Sequence, residues 1–247
     1  MKTEETAVRR IAGQIAREIA GGLIPAGTHL PPIRDLARRF HVNAGTIQRA
    51  VAGLDAMGLV IVKQGSGMVV QDVEELGGFD LWPLLLSANR NNTEKAVKLV
   101  ADALEVRRVL AAHLVRKVSE LENYDRSGLA ACIDRFAERV SAGEQDLEEL
   151  IRVENRIIRC LLAQVNQSAM SAILNGVEST LLATPQLVEA FYENPEQNLR
   201  LWREFLSILD RSRDRESPTN ALLAVLETYD LQVIERFRTH LCRDIHQ

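Results

Sequence analysis

Two short amphipathic segments joined by almost nothing constrain this chain most. Ile33, Leu36, Ala37 and Phe40 recur at helical spacing with Arg34, Arg38 and Arg39 between them. The next apolar stripe, Ile47, Val51, Leu54 and Met57, begins after a two-residue connection, His41-Val42. Asn43 stands where a helix N-cap belongs, and Gly58 where the helix stops. Upstream, Val8, Ile11, Ile15 and Ile19 mark a first helix that ends at Gly21-Gly22. Pro25-Ala26-Gly27 then turns the chain into a short extended piece, Thr28-His29-Leu30. Downstream, Leu59–Lys63 and Met68–Val70 are β-rich runs joined by Gln64-Gly65-Ser66-Gly67, which reads as a hairpin. Helix, helix, tight turn, helix, hairpin within about seventy residues is the order of a winged helix-turn-helix.

After residue 70 the pattern changes. Residues 71–79 form the expected linker, and period-3.6 stretches cover 80–89, 93–121, 127–142, 146–165, 168–183, 196–214 and 219–242. Asn194-Pro195 and Ser217-Pro218 punctuate as cap and first helical residue. The expected fold is therefore mostly α: a winged helix-turn-helix of three helices plus a β-hairpin wing over 1–70, then an all-α bundle of about seven helices over 80–247.

Charge divides at the same place. The whole chain carries a formal −4, but residues 1–70 hold nine Lys+Arg against five Asp+Glu, and the remainder 21 against 29. A basic head on an acidic body suits one nucleic-acid-binding module attached to a body that avoids phosphate. No apolar run is long enough for a membrane span, and the acidic N-terminus does not read as a signal peptide, so a cytoplasmic chain without membrane contact is expected. Cys132, Cys160 and Cys242 are far apart in sequence and read as reduced thiols.

A recognition helix presents short, polar or basic side chains at its N-terminal end, which faces base edges in the major groove. Asn43, Ala44, Gly45, Thr46, Gln48 and Arg49 are the residues available there, with Ile47 turned to the core. Gln48 suits adenine and Arg49 suits guanine or phosphate. Arg34 is placed to hold a backbone phosphate, and Lys63 with the Gly65-Ser66-Gly67 tip to reach a minor groove. The expected partner is double-stranded DNA carrying an inverted repeat, bound by a homodimer, because one recognition helix reads too few base pairs to be selective.

Leu30-Pro31-Pro32-Ile33-Arg34-Asp35-Leu36-Ala37, Val42 to Ala50, Gly58-Leu59-Val60 and Gly65-Ser66-Gly67, with the lead-in Gly22 to Gly27, closely resemble the reading head of the GntR superfamily, without a gap over 7–70. Ala103 to Arg108, Ile173 to Val177 and Tyr192 to Glu196 resemble the fatty-acid-responsive (FadR-type) branch. That resemblance implies a seven-helix bundle whose cavity takes a long-chain acyl-CoA, and Arg107, Trp202, Tyr229, Val233 and Phe237 as effector-binding residues. The chain departs from the branch in two ways. Tyr229-Asp230-Leu231-Gln232-Val233 replaces its Tyr-Gly-x-x-Ser pattern, putting a carboxylate where phosphates would sit, and Ala44 and Gln48 stand where it has arginines, more as in the YtrA or HutC type. A sister branch binds a divalent metal through one Asp and three His. With His113, His240 and His246 the only histidines beyond the head, and Asn155 or Arg156 in place of a ligand, no metal and no cofactor are expected. His240 reads instead as a capping cation near the end of the last helix.

No phosphate loop, nucleophile elbow or carboxylate pair points to an enzyme. The sequence thus leads to a DNA-binding regulator modulated by a small metabolite, with acyl-CoA as the leading candidate. Its alternatives are a regulator answering another carboxylate or acyl metabolite, or an architectural DNA binder without a ligand.

Overall fold

A computed structural model describes residues 2–63, 67–211 and 218–245. The chain divides into two compact units, Met1–Asn92 and Thr93–Gln247.

The first unit begins with α1 (Lys2–Ala20), α2 (Ile33–Phe40) and α3 (Ala44–Ala56). The tight connection between α2 and α3 has a specific backbone solution. His41 takes the left-handed conformation at φ 53°, and the Val42 N–H returns 3.0 Å to the Ala37 carbonyl, closing α2 with its last carbonyls satisfied. Asn43 then opens α3, its side chain accepting the Thr46 N–H at 2.8 Å. Ile11, Ile15 and Ile19 of α1 are buried with Leu36, Ile47, Ala50, Val51 and Leu54 in one core. Met57, expected on that stripe, is 39% exposed, because α3 ends at Ala56 and Gly58 turns the chain at φ 72°.

The hairpin pairs β1 (Val60–Lys63) with β2 (Gly67–Val70) antiparallel, in a register that sets Val60 opposite Val70 and Lys63 opposite Gly67. The extended piece before α2 joins it: His29 bridges Val69, and Leu30 donates to the Met68 carbonyl at 2.8 Å.

The segment expected to be a linker holds a one-turn helix, α4 (Val73–Leu76), capped by Asp72. The next helix, α5 (Trp82–Asn89), was expected to open the helical bundle. It packs on α1 instead, so the first unit runs to Asn92. Leu85 and Leu86 supply the apolar contact surface. Asn89 is buried and donates to the carbonyls of Leu85 at 2.8 Å and Ala20 at 3.3 Å, satisfying the end of α1.

The second unit is all helical among its described residues: α6 (Thr93–Ser119), α7 (Arg126–Ser141), α8 (Leu147–Val165), α9 (Ser168–Leu182), α10 (Pro185–Tyr192), α11 (Pro195–Arg211) and α12 (Pro218–Ile245). The number seven agrees with expectation, but the set differs, since α10 takes the place of α5. Asp125, Asp146 and Asn194 accept backbone N–H groups at the starts of α7, α8 and α11. The Ser217 cap lies outside the described residues. Leu129, Ile133, Phe136, Leu150, Ile151 and Ile157 are the centre of the core. The two longest helices, α6 and α12, run antiparallel, with Glu94 against Arg238 at one end and Arg107 against Asp230 further along.

Candidate nucleic-acid interface and the polar centre of the helical unit

Capping fixes the N-terminal turn of α3, and that turn decides which side chains remain available. Asn43, Ala44, Gly45, Gln48 and Arg49 are all exposed. Gly45, Gln48, Arg49 and Ala52 line one shallow groove, and Ala37, Arg38, His41, Val42 and Asn43 line another. Thr46 corrects the sequence reading: it is 2% exposed, and its hydroxyl donates to Asn43 Oδ1 at 3.1 Å. The same Asn43 oxygen therefore holds both the backbone and the side chain of Thr46, which leaves the Asn43 amide N–H groups as its outward donors.

Arg34 is exposed in the first turn of α2. Arg38 pairs with Asp35, and Arg39 pairs with Glu18 of α1 at 3.1 Å while lying 5.1 Å from the Phe40 ring. Of the outward arginine triplet, Arg39 thus braces α2 against α1. Lys63 is exposed at the end of β1, and Gly67 opens β2 at φ +84°. Gly65 and Ser66 lie outside the described residues. The wing is tied to the recognition helix by Asp55, whose carboxylate accepts the Val62 N–H at 3.3 Å. The sequence marked His41 only as part of the tight connection, and Asp55 not at all. The signal for His41 was the shortness of the connection, which forces one residue into the left-handed region. Asp55 is seven residues from its partner and left no periodic trace.

In the second unit, three of the five expected effector residues meet in a buried polar centre. Glu154 of α8 accepts from Trp202 Nε1 at 2.6 Å, from Asn198 Nδ2 at 3.3 Å and from the Tyr192 hydroxyl. Tyr229 of α12 donates to Asn198 Oδ1 at 2.9 Å. Arg107 lies 5.8 Å from the rings of both Phe191 and Tyr229 and pairs with Asp230. Burial first, and then the Glu154 charge, push the Tyr192 and Tyr229 hydroxyls well above the ordinary phenol range, so both stay protonated donors. The Asp230 side chain is 1% exposed between Arg107 and Arg108, with Arg108 Nη1 at 2.6 Å. Asp230 is therefore an internal counter-ion joining α6 to α12, and the trio keeps one net positive charge. Val233 and Phe237, at 0% and 1% exposed, are core packing in this structure, not open to a ligand.

Among the described residues no group of three or more His, Cys, Asp or Glu side chains converges as a metal set. His240 is not at a helix end, because α12 continues to Ile245, and its Nδ1 faces Glu189 of α10 at 3.2 Å.

Residues 7–70 match the family of bacterial regulatory proteins, gntR family. They form a GntR-family helix-turn-helix domain. The uncharacterized HTH-type transcriptional regulator Rv0494 of Mycobacterium tuberculosis is 49% identical over 67 residues, covering 27% of this chain and 28% of that protein. The HTH-type transcriptional regulator Mce2R of the same species is 34% identical over 105 residues, 42% of each chain. The chain thus spans well under half the length of these curated relatives. Among solved structures, that of Lar, which "controls the expression of the Listeria monocytogenes agr system and mediates virulence", superposes with a TM-score of 0.55 at 16% identity, covering 93% of this chain and 95% of that one. This likeness extends the similarity of fold beyond the GntR-family domain into the helical unit. No helix among the described residues is long and apolar enough to cross a membrane.

Proposed function

We propose that the chain is a sequence-specific DNA-binding transcriptional regulator that acts as a homodimer on an inverted-repeat operator, its DNA affinity modulated by a small metabolite in the helical unit. The observation that carries the DNA-binding part is the open N-terminal turn of α3. There Ala44 and Gly45 permit close approach, Gln48 and Arg49 stand outward beside them, and Arg34 is exposed on the preceding helix. Arg34, Asn43, Ala44, Gly45, Gln48, Arg49 and Lys63 are the proposed contacts; Thr46 positions Asn43.

Selection from a randomised duplex library on the full chain, followed by a salt titration on the enriched duplex, tests this reading. Enriched inverted repeats are expected, with weaker binding for Arg34→Ala and Arg49→Ala. A lost phosphate contact at Arg34 flattens the salt dependence by about one unit of slope. No enrichment, or wild-type affinity and slope in both variants, overturns it.

For the effector, the proposed ligand is an acidic or acyl-type metabolite bound without metal, with acyl-CoA the leading candidate. The single net positive charge on Arg107, Arg108 and Asp230 favours an anionic group there, and each CH₂ of a buried acyl tail adds ~0.8 kcal/mol. The phosphates of a CoA would have to draw the guanidiniums away from Asp230. Calorimetry with acyl-CoAs and free fatty acids on wild type and Arg107→Ala separates the possibilities. Tight acyl-CoA binding that survives Arg107→Ala removes the arginine from the site. An absence of heat with every acyl ligand favours the second reading, a ligand-independent DNA binder, which full burial of Val233 and Phe237 already supports.

A further inference from the structure

Two cysteines that look unrelated in sequence, 28 residues apart, meet in the helical unit. Cys132 of α7 and Cys160 of α8 place their sulfurs 2.7 Å from one another, both thiols free and half-buried. α7 packs antiparallel on α8 around Leu129, Ile133, Phe136, Ile157 and Leu161, which sets the two cysteine positions side by side. The third cysteine, Cys242 on α12, is exposed.

We propose that Cys132 and Cys160 form a dithiol site that low-molecular-weight disulfides oxidise reversibly to an intramolecular Cys132–Cys160 disulfide, stapling α7 to α8. The proposal concerns the helical unit alone and does not depend on the DNA-binding reading. The Cys132 thiolate attacks one sulfur of R–S–S–R, that S–S bond breaks, and the departing RS⁻ takes up the proton lost by Cys132. The Cys160 sulfur then attacks the Cys132 sulfur of the mixed disulfide, expelling a second RS⁻, which takes the Cys160 proton. Two protein thiols are oxidised and one R–S–S–R is reduced to two R–SH. Cys160, whose thiol is shifted upward, is assigned as the second sulfur to react. Burial and its hydrogen bond to Cys132 push the Cys160 thiol up to about 11, so at neutral pH it waits as S–H until the mixed disulfide forms beside it. A pair of this kind suits transient, sensing oxidation in a reducing compartment. It would report on α8, the helix whose Glu154 organises Tyr192, Asn198 and Trp202.

The test treats the intact chain with oxidised glutathione and counts free thiols under denaturing conditions, with intact mass and peptide mapping. Three free thiols should fall to one, the mass should drop by two hydrogens, and one cross-linked peptide pair should contain Cys132 and Cys160. Dithiothreitol should reverse the change. Cys242→Ser should still form the bridge, whereas Cys132→Ser and Cys160→Ser should not. Because either serine variant can fail to fold, the wild-type peptide map decides by itself. Three surviving thiols, a persistent glutathione adduct at Cys132, or reaction at Cys242 alone overturns the proposal.

Discussion

Removing the carboxylate of Asp230 should cost the helical unit more stability than removing any exposed acidic group. The Asp230 side chain is 1% exposed, while those of Arg107 and Arg108 are 32% and 23% exposed. Asp230→Ala leaves two guanidiniums facing one another without a counter-ion, and Arg107 Nε is already buried without a partner among the described residues. Breaking a buried ion pair from one side costs about 3–5 kcal/mol. Here both arginines can turn partly into water, so the lower end applies, about 3 kcal/mol. For a unit of this size that lowers the melting temperature by about 6–12 °C. Asp230→Asn keeps the volume and one acceptor and should fall between. Replacing all three by apolar residues should be close to neutral, because the desolvation penalty goes with the charges. Asp102→Ala is the control: its partner Lys98 is 74% exposed, and such pairs are worth at most about 1 kcal/mol. Scanning calorimetry of the full chain, which resolves the two units if they unfold separately, reads the difference. If Asp230→Ala moves the helical transition no further than Asp102→Ala, the counter-ion argument fails.

Asn43→Ala should destabilise the first unit by about 0.5–2 kcal/mol through loss of the α3 cap, read by urea unfolding, and a variant as stable as wild type would contradict the capping geometry. Asp55→Ala frees the Val62 N–H and should raise hydrogen exchange selectively in β1; unchanged protection there would show that the hairpin holds itself. The Cys160 thiol is shifted upward, so folding favours its neutral form, a contribution present below pH 9.0 and lost as pH rises through about 11. Alkylation of Cys160 by iodoacetamide in the Cys242→Ser variant should therefore rise towards pH 11, and a midpoint near 9.0 would show that the thiol is not protected.

What the sequence made legible was whatever has a local cause. The turn between α2 and α3, the Asn43 cap and the Ile47–Leu54 stripe each depend on residues within one or two helical turns, and each appears where the spacing puts it. Thr46 was misread because position in a helix does not say which way a cap pulls its neighbour. Once Asn43 Oδ1 takes the Thr46 N–H, the threonine hydroxyl is close enough to share that oxygen and turns inward. α10, eight residues between Thr184 and Glu193, was not read from the sequence, although Pro185 marks its start.

The boundary at 71–79 was misplaced for a different reason. Polar residues and two glycines read as a linker, but α5 beyond them carries its own anchor, the buried Asn89, whose partner Ala20 lies 69 residues upstream. No window on the sequence contains both. The same holds for Asp230. Read alone it is a misplaced carboxylate that repels a ligand; with Arg107 and Arg108 more than 120 residues away it is the counter-ion that allows two arginines inside a helical unit. The polar centre was legible as a set of residue types and illegible as a set of pairs. Its pairing, more than the presence of arginine, determines what an incoming anion must displace. A ligand that only adds charge competes with Asp230 and gains little. A ligand that also places a carbonyl or hydroxyl near Arg107 Nε, a buried donor without a partner among the described residues, gains a hydrogen bond that Nε otherwise lacks.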